Sequence, residues 1–405
     1  MTQRNRLFKN SILAIAVATV SGQTLAAGFQ LNAQSATGVG RAFAGDAVIA
    51  DNASVMARNP AAMALFDKSQ LSLGFETIVT DIQIKDSSYG LFNKSSDYGD
   101  AGGTSVAPNA HFIMPINDKF AVGINAYSNF GTKTEFGDGF AATPHGGLTD
   151  VKSMNLGLAG SYRMNEQWSF GAGIDLIYGE GTMKRELKVL EHKVSLIDVD
   201  GADGFAVGFN VGTVFELDEN NRFGLSYRYS PKMETKDDKG QKITLPLPDI
   251  AEFSGYHRIK DTKFAAHYSV QYIGWGAFDK IEFSNLQDSL ITRPYDKHYD
   301  WQDGWHYSIG GTYYLNDSWT LRAGYMYDTS AQNELTSVSV PDSDRQWLSS
   351  GFTYHLSENS DIDFGFTYLV GKDVAVEEGN ALIGKISATT RADALLFGLQ
   401  YSHSF

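Results

Sequence analysis

Along most of this chain the apolar residues keep to one parity, and that period of two constrains the fold more than any other feature. Successive strand side chains point to opposite faces, whereas a helix brings every third or fourth residue together. From Met154 the even positions read Met154, Leu156, Leu158 and Tyr162, against Ser153, Asn155, Gly157, Ala159, Ser161 and Arg163 on the odd ones. The next run sets Trp168, Phe170, Ile174, Leu176 and Tyr178 opposite Ser169, Gly171, Gly173 and Asp175. Counted this way, fourteen strands begin near residues 69, 105, 119, 150, 166, 203, 221, 250, 263, 300, 318, 344, 360 and 391. Short turns at INDK, MNEQ, LDENNR, IKDTK, LNDS and LSENS alternate with seven longer loops. An even count with that alternation predicts an all-β fold, a 14-stranded antiparallel transmembrane β-barrel with both termini on the short-turn side.

Aromatic placement separates the barrel from a soluble β-sandwich. Phe120, Trp168, Phe223, Phe264, Trp319 and Phe364 follow the short turns on the apolar parity, at one depth. Aromatic rings favour the boundary of a bilayer, and a charge at its midplane would cost about 2–4 kcal/mol, so this parity is nearly free of Lys, Arg, Asp and Glu. Forty-one glycines against nine prolines suit many turns and close-packed strands. A net charge of −14 argues against a nucleic-acid partner, and the absence of cysteine excludes disulfides, thiolate metal sites and thiol nucleophiles. The ending ALLFGLQYSHSF puts Phe397, Leu399, Tyr401, His403 and Phe405 on one face, the form of last strand that outer-membrane barrel assembly machinery reads.

Two segments do not alternate. At the start, Arg4, Arg6 and Lys9 precede the apolar run SILAIAVATV, a secretory leader over residues 1–26 with Thr24 and Ala26 at the cleavage site. That run is about half of the roughly 20 residues a spanning helix needs. Residues 27–66 then form a broken, helix-like segment: Asp51 or Asn52 caps one short piece, and Asn59 with Pro60 starts another. Such a backbone cannot lie in lipid. A fourteen-stranded barrel leaves a lumen that wall side chains do not fill, so residues 27–66 are expected inside residues 67–405 as a plug, or hatch.

The stretch AGFQLNAQSATGVGRAFAGDAVIADNASVMARNPAAMALF resembles the N-terminal hatch of the FadL family of outer-membrane long-chain fatty acid transporters. The likeness continues through PINDKFAVGINAYSNFGTKTEF, MNLGLAGSYRMNEQWSFGAGI, ELDENNRFGLSYR, LPLPDIAEFSGYHR and SVPDSDRQWLSSG. It implies a monomeric barrel in the outer membrane of a Gram-negative bacterium, among outer-membrane lipid and lipopolysaccharide. Such a barrel takes hydrophobic molecules from outside and releases them sideways at a kinked third strand, without cofactor, metal or energy coupling.

The resemblance also implies where a ligand goes. A long acyl chain gains about 0.8 kcal/mol per buried CH₂, while an exposed carboxylate pair adds only about 0–1 kcal/mol. The tail therefore supplies affinity and a cation fixes orientation. The outer loops supply a capture groove: Leu187, Leu190, Val194 and Ile197 at helical spacing, and Leu245, Leu247 and Ile250 among prolines. The family's carboxylate-binding arginine falls on Arg185 in GEGTMKRE. Its second cation falls on Glu282 in WGAFDKIEF, a departure, with Lys280 two residues away on the same parity. Phe29 is the hatch residue that meets the pocket, Gly131 matches the third-strand kink, and Asn59 and Pro60 lie near the side opening.

Other readings stay in view at this point. Hydrocarbon importers, including monoaromatic ones, share the hatch and barrel. A lipid hydrolase would need a pair such as His267 with Ser269 or His306 with Ser308, and a general porin would need no forty-residue plug. The glycines of GVGRAFAG follow no strand, and DVDGADG lacks the spaced ligands of a calcium loop, so neither a nucleotide site nor a metal site is expected.

Overall fold

The computed structural model describes residues 28–405 apart from 33, 190, 191, 288, 292, 381 and 382. The leader reading and Leu190 lie outside the described residues. Fourteen strands close into one antiparallel barrel: β1 (Gln70–Tyr89), β2 (Gly103–Asn117), β3 in two segments (Phe120–Tyr127 and Gly131–Glu135), β4 (Leu148–Arg163), β5 (Trp168–Val189), β6 (His192–Asp218), β7 (Asn221–Tyr229), β8 (Ile250–Arg258), β9 (Phe264–Ile273), β10 (Gly304–Asn316), β11 (Trp319–Asp328), β12 (Arg345–Ser357), β13 (Ser360–Gly371) and β14 (Gly384–Ser404). Each pairs with the next, and β14 closes on β1 from Gln70–Ser404 to Tyr89–Ile386. Full closure leaves no unpaired edge facing lipid.

Burial is inverted relative to a soluble sheet. On β4 Leu158 is 64% exposed while Asn155 is fully buried, and on β5 Ile174 faces out while Asp175 is buried. Apolar outside and polar inside is the signature of a wall between lipid and a filled lumen. The rings after the short turns make a girdle across strand boundaries. Phe120 meets Tyr162 at 5.0 Å, Trp168 meets Phe215 at 4.7 Å, Phe264 meets Tyr313 at 4.5 Å and Trp319 meets Tyr354 at 4.8 Å.

Above the girdle the strands run further than parity indicates. β6 begins at His192 and β14 at Gly384, not near 203 and 391. The helix expected around Leu187, Val194 and Ile197 is instead the tip of the β5–β6 hairpin, with Leu187 opposite Val194 and Arg185 opposite Ile197. Extending a formed ladder adds a hydrogen bond per residue fixed, whereas a new helix must first be nucleated. Five short strands in the outer loops, Met233–Lys236, Lys242–Leu245, Lys280–Ser284, Tyr295–His298 and Val374–Asn380, add to the sheet.

Residues 28–66 fill the lumen. They contain one short helix, α1 (Ala36–Gly40), capped by Ser35, and two 3₁₀ turns, Ala53–Ala57 capped by Asn52 and Pro60–Leu65 capped by Asn59. Backbone groups without partners in the segment are met by wall side chains. The Ala36 N–H donates to Gln400 Oε1 of β14 (3.3 Å), Gly45 N–H to Ser269 Oγ of β9 (2.9 Å), and Ala53 N–H to Ser72 Oγ of β1 (3.1 Å). Ion pairs join the same two layers, all of their side chains buried except that of Asp51. Arg41 pairs with Asp46 and Asp51 at 2.8 Å, Arg322 of β11 reaches Asp51 at 3.4 Å, and Arg58 reaches Glu252 of β8 at 3.4 Å. Elsewhere the two backbones touch directly: a Cβ on Gly324 would overlap the Arg41 carbonyl, and one on Gly365 the Ala36 carbonyl.

The cavity above the hatch and the break in the third strand

The first residues of the described chain meet β3 where that strand is interrupted. Between Tyr127 and Gly131 the backbone leaves the wall, and Gln30 forms a bridge with Phe130. Leu31 N–H donates to the Asn129 carbonyl (2.8 Å) and Gly131 N–H to the Phe29 carbonyl (2.9 Å). The excursion is held from the far side too, since Phe130 N–H donates to Ser153 Oγ of β4 (3.0 Å), which in turn donates to Asn129 Oδ1 (2.6 Å). Meanwhile the β2–β3 ladder runs only from Ala110–Ala126 to Asn117–Phe120. β3 thus gives its inner backbone to the N-terminal segment instead of to β2.

Phe29 lies at the floor of an apolar cluster built from four parts of the chain. Its ring is 4.5 Å from Trp275, 5.4 Å from Phe278, 5.9 Å from Trp301 and 6.3 Å from Phe130. Trp275 sits on the 3₁₀ turn after β9 and Trp301 just before β10. Leu245 and Leu247 are buried in this same cluster, while Leu187 and Val194 are half-buried. The two leucine groups therefore do not form a single exposed groove: prolines and the Lys242–Leu245 strand turn one of them inward.

Over this cluster opens a cavity of about 450 Å³. Met183, Leu196, Ile197 and Ile291 give it apolar walls, and Arg185, Lys297, Glu378 and His145 give it charge. Arg185 is buried and donates from Nη1 to the Leu148 and Lys184 carbonyls (both 2.8 Å) and from Nη2 to Thr149 Oγ1 (2.6 Å). No carboxylate lies within ion-pair distance of it among the described residues. Burial draws this guanidinium below its ordinary value, against the pull of Tyr299, Glu378 and Tyr295. Lys297 Nζ pairs with Glu378 at 2.8 Å. Burial alone would discharge both, but their mutual attraction wins and holds the ammonium above, and the carboxyl below, its usual range. Asp296 also lines the cavity but is taken up by Lys280, so Arg185 is left as the lining guanidinium without a carboxylate partner among the described residues.

His145 adds a pH response. Burial, opposed by Glu378, holds its imidazole below the ordinary value, and its Nε2 lies 2.9 Å from the Gly384 carbonyl. A base whose folded value is depressed takes fewer protons folded than unfolded, so stability falls as the pH drops below ~6.5. Glu378, also depressed, loses its contribution lower still, below ~4.5. Acidifying from pH 7 to pH 5 should therefore lower the amide protection factors of residues 374–380, taken against the slower intrinsic exchange at pH 5, and His145→Gln should remove most of that change.

Of the residues marked in the sequence, Phe29, Arg185, Leu245 and Leu247 come together here. Lys280 does not line the cavity: it is partly exposed and held by Asp296 (2.5 Å) and Glu282 (3.4 Å). The second cavity cation is Lys297, whose signal in PYDKHYDW is the shared parity of Tyr295, Lys297 and Tyr299. Asn59 and Pro60 lie against β6 and β5, at Gly212 and Gly171, rather than beside the break; their turn reaches β3 through Met63 at Gly123, lower down. Gly131 opens the second segment of β3 and anchors Phe29. The histidines considered for hydrolysis serve the plug and wall instead. His267 Nε2 bonds Thr312 (3.1 Å), Ser269 Oγ donates to the Phe43 carbonyl (3.2 Å), and His306 Nδ1 meets Asn32 Nδ2 (3.0 Å).

A lipid-facing barrel stoppered by its own leading segment, with a cavity of apolar walls and charged groups above the stopper, defines a class: an outer-membrane transport barrel. Residues 17–405 match the family described as Outer membrane protein transport protein (OMPP1/FadL/TodX), and the chain belongs to it. It is similar to the Long-chain fatty acid transport protein of Salmonella typhi, 35% identical over all of both chains. Among solved structures it resembles a FadL homologue of Pseudomonas aeruginosa, with a TM-score of 0.84 at 20% identity over 94% of this chain and 100% of that one. It also resembles the toluene transporter TodX of P. putida, with a TM-score of 0.67 at 16% identity over 87% and 94%. It is an outer-membrane transport protein and not an enzyme.

Proposed function

We propose that this chain takes up long-chain fatty acids by passive diffusion. Outer-loop side chains including Leu187 and Val194 capture the acyl chain, the cavity over Phe29 receives it, and it leaves sideways at the β3 break into the membrane. The observation that carries this reading is the buried Arg185, with no carboxylate in ion-pair distance among the described residues, in a cavity with apolar walls and with Lys297 half-buried beside it. A carboxylate pairs with the Arg185 guanidinium, whereas a hydrocarbon leaves that buried charge with neutral partners alone, which a buried site resists. Hydrocarbon uptake is the second reading, kept because a toluene transporter shares the fold.

The test is growth on oleate of a strain lacking its own transporter, with and without this gene. No growth, together with acquired sensitivity to toluene, would move the assignment to hydrocarbons. Within the protein, Arg185→Ala should weaken oleate binding by about 10- to 100-fold, since a hydrogen bond to a charged group is worth ~1.5–3 kcal/mol. Lys297→Ala should cost less, because Glu378 already occupies that ammonium. Lys280→Ala should leave binding unchanged. The reading extends to a leader removed after Ala26, a monomeric barrel, lipopolysaccharide around its outer rim and assembly through the last strand. Intact mass of the purified chain checks the cleavage site.

A further inference from the structure

We infer that the Tyr299 hydroxyl binds the ligand headgroup beside Arg185 and Lys297, and that it favours an acid over a hydrocarbon. This rests on the fatty-acid reading of the cavity.

Tyr299 is 1% exposed, and its hydroxyl has no hydrogen-bond partner among the described residues. A buried O–H left unpaired is unfavourable, and native structures rarely keep one without a role. The ring is fixed on three sides, 5.1 Å from Phe278, 5.9 Å from Trp301 and with Lys297 Nζ 5.2 Å above its centre. The hydroxyl therefore cannot swing away to find another partner. Its surroundings place it next to the cavity: Tyr299 belongs to the same buried cluster as Met183 and Ile197, which wall the cavity, and follows directly on Tyr295–His298, all four of which line it. Both cations feel the Tyr299 oxygen electrostatically. The Arg185 guanidinium and the Tyr299 hydroxyl both have donors to spare, whereas the Lys297 ammonium contributes its charge. A carboxylate has two oxygens and about four acceptor positions, enough to serve both donors.

The other donors near Lys297 are already matched. Its Nζ reaches Glu378, Ser339 (3.2 Å) and Ser337 (3.4 Å), and Glu378 accepts in addition from the Val338 N–H (3.1 Å). Tyr299 takes no part in that network. A ligand that only fills space leaves the hydroxyl as it was; a ligand with an acceptor gains it.

Tyr299→Phe keeps the ring and its packing and removes only the donor, so it isolates the claim. Binding of oleate, oleyl alcohol and 1-octadecene to the full-length detergent-purified barrel would be compared in wild type and variant, with heat-shifted gel mobility confirming a folded barrel in both. The expected result is oleate weakened about tenfold, with octadecene unchanged or tighter. Unchanged oleate binding, or an equal loss for oleate and octadecene, would overturn the role of Tyr299 while leaving the fatty-acid reading intact. Wild-type protein that binds octadecene and not oleate would overturn both.

Discussion

Alanine at Gly324 or Gly365 is expected to unseat the plug, and valine more completely. Both glycines are on the lumen face, where the hatch backbone lies directly on the wall. A side chain at Gly324 would push the Arg41 carbonyl inward, and with it the guanidinium that pairs Asp46 and Asp51 at 2.8 Å. Overpacking costs ~1–3 kcal/mol, and breaking a buried pair by displacing one partner ~3–5 kcal/mol. Together these exceed ~4 kcal/mol, about a thousandfold in the ratio of seated to unseated plug. The measurement is entry of a large polar antibiotic into cells carrying the variant, alongside single-channel conductance of the purified barrel. Gly160→Ala on β4 is the control, because its nearest atom, the Ala121 carbonyl oxygen, is 3.9 Å away. An impermeable Gly324→Val barrel with ordinary stability would mean that the hatch yields without leaving, and that the wall glycines do not set its position.

Those glycines show what a sequence of this kind reveals and hides. Lipid tolerates almost nothing but apolar groups, so the outer face of every strand is written in one parity, and fourteen strands can be counted from it. The lumen face obeys no such rule: it is whatever the plug requires, serine where a backbone N–H needs an acceptor, glycine where backbone meets backbone. Ser269 and Gly324 cannot be told apart from ordinary wall residues until the plug is in place. Parity also weakens above the membrane, where water accepts either face. That is why the starts of β6 and β14 fall earlier than the pattern suggests, and why the Leu187 to Ile197 stretch reads as a helix when it is a hairpin.

The site is legible to a smaller degree, for a different reason. Phe29 and Arg185 were carried by resemblance, each within a stretch of matching sequence. Trp275, Lys297 and Trp301 stand up to 26 residues apart in the long loop between β9 and β10, Glu378 comes from the loop before β14, and nothing local marks them as neighbours. Lys280 stands nearer the matched residues in the chain, yet it does not line the cavity and is tied up by Asp296 and Glu282. Sequence proximity ranks cations by register along a strand, whereas the cavity ranks them by how one long loop folds back on itself, since Lys280 and Lys297 face each other's strands within the same connection.

Locking Gln30 to Phe130 with an engineered disulfide is expected to stop uptake and to do so reversibly. The two residues face each other across an antiparallel bridge flanked by the Leu31–Asn129 and Gly131–Phe29 hydrogen bonds. That pattern marks a non-hydrogen-bonded pair, with Cα atoms about 4.5 Å apart, inside the range a disulfide spans. The chain has no cysteine of its own, so Gln30→Cys with Phe130→Cys can form a single intramolecular bond. If cargo leaves through the wall at the β3 break, the N-terminal segment must give up its bridge there, since Phe29 and Phe130 pack edge to face in the buried cluster at the break, 6.3 Å between ring centres. Oxidised protein should then carry oleate at least ~10-fold more slowly than the same protein after reduction, a difference of ~1.4 kcal/mol or more in the barrier. Comparing the two redox states of one variant cancels the loss of the Phe130 ring. Equal uptake in both states, with the bond verified by mass, would show that the strand stays in place while cargo passes and that the exit lies elsewhere in the wall.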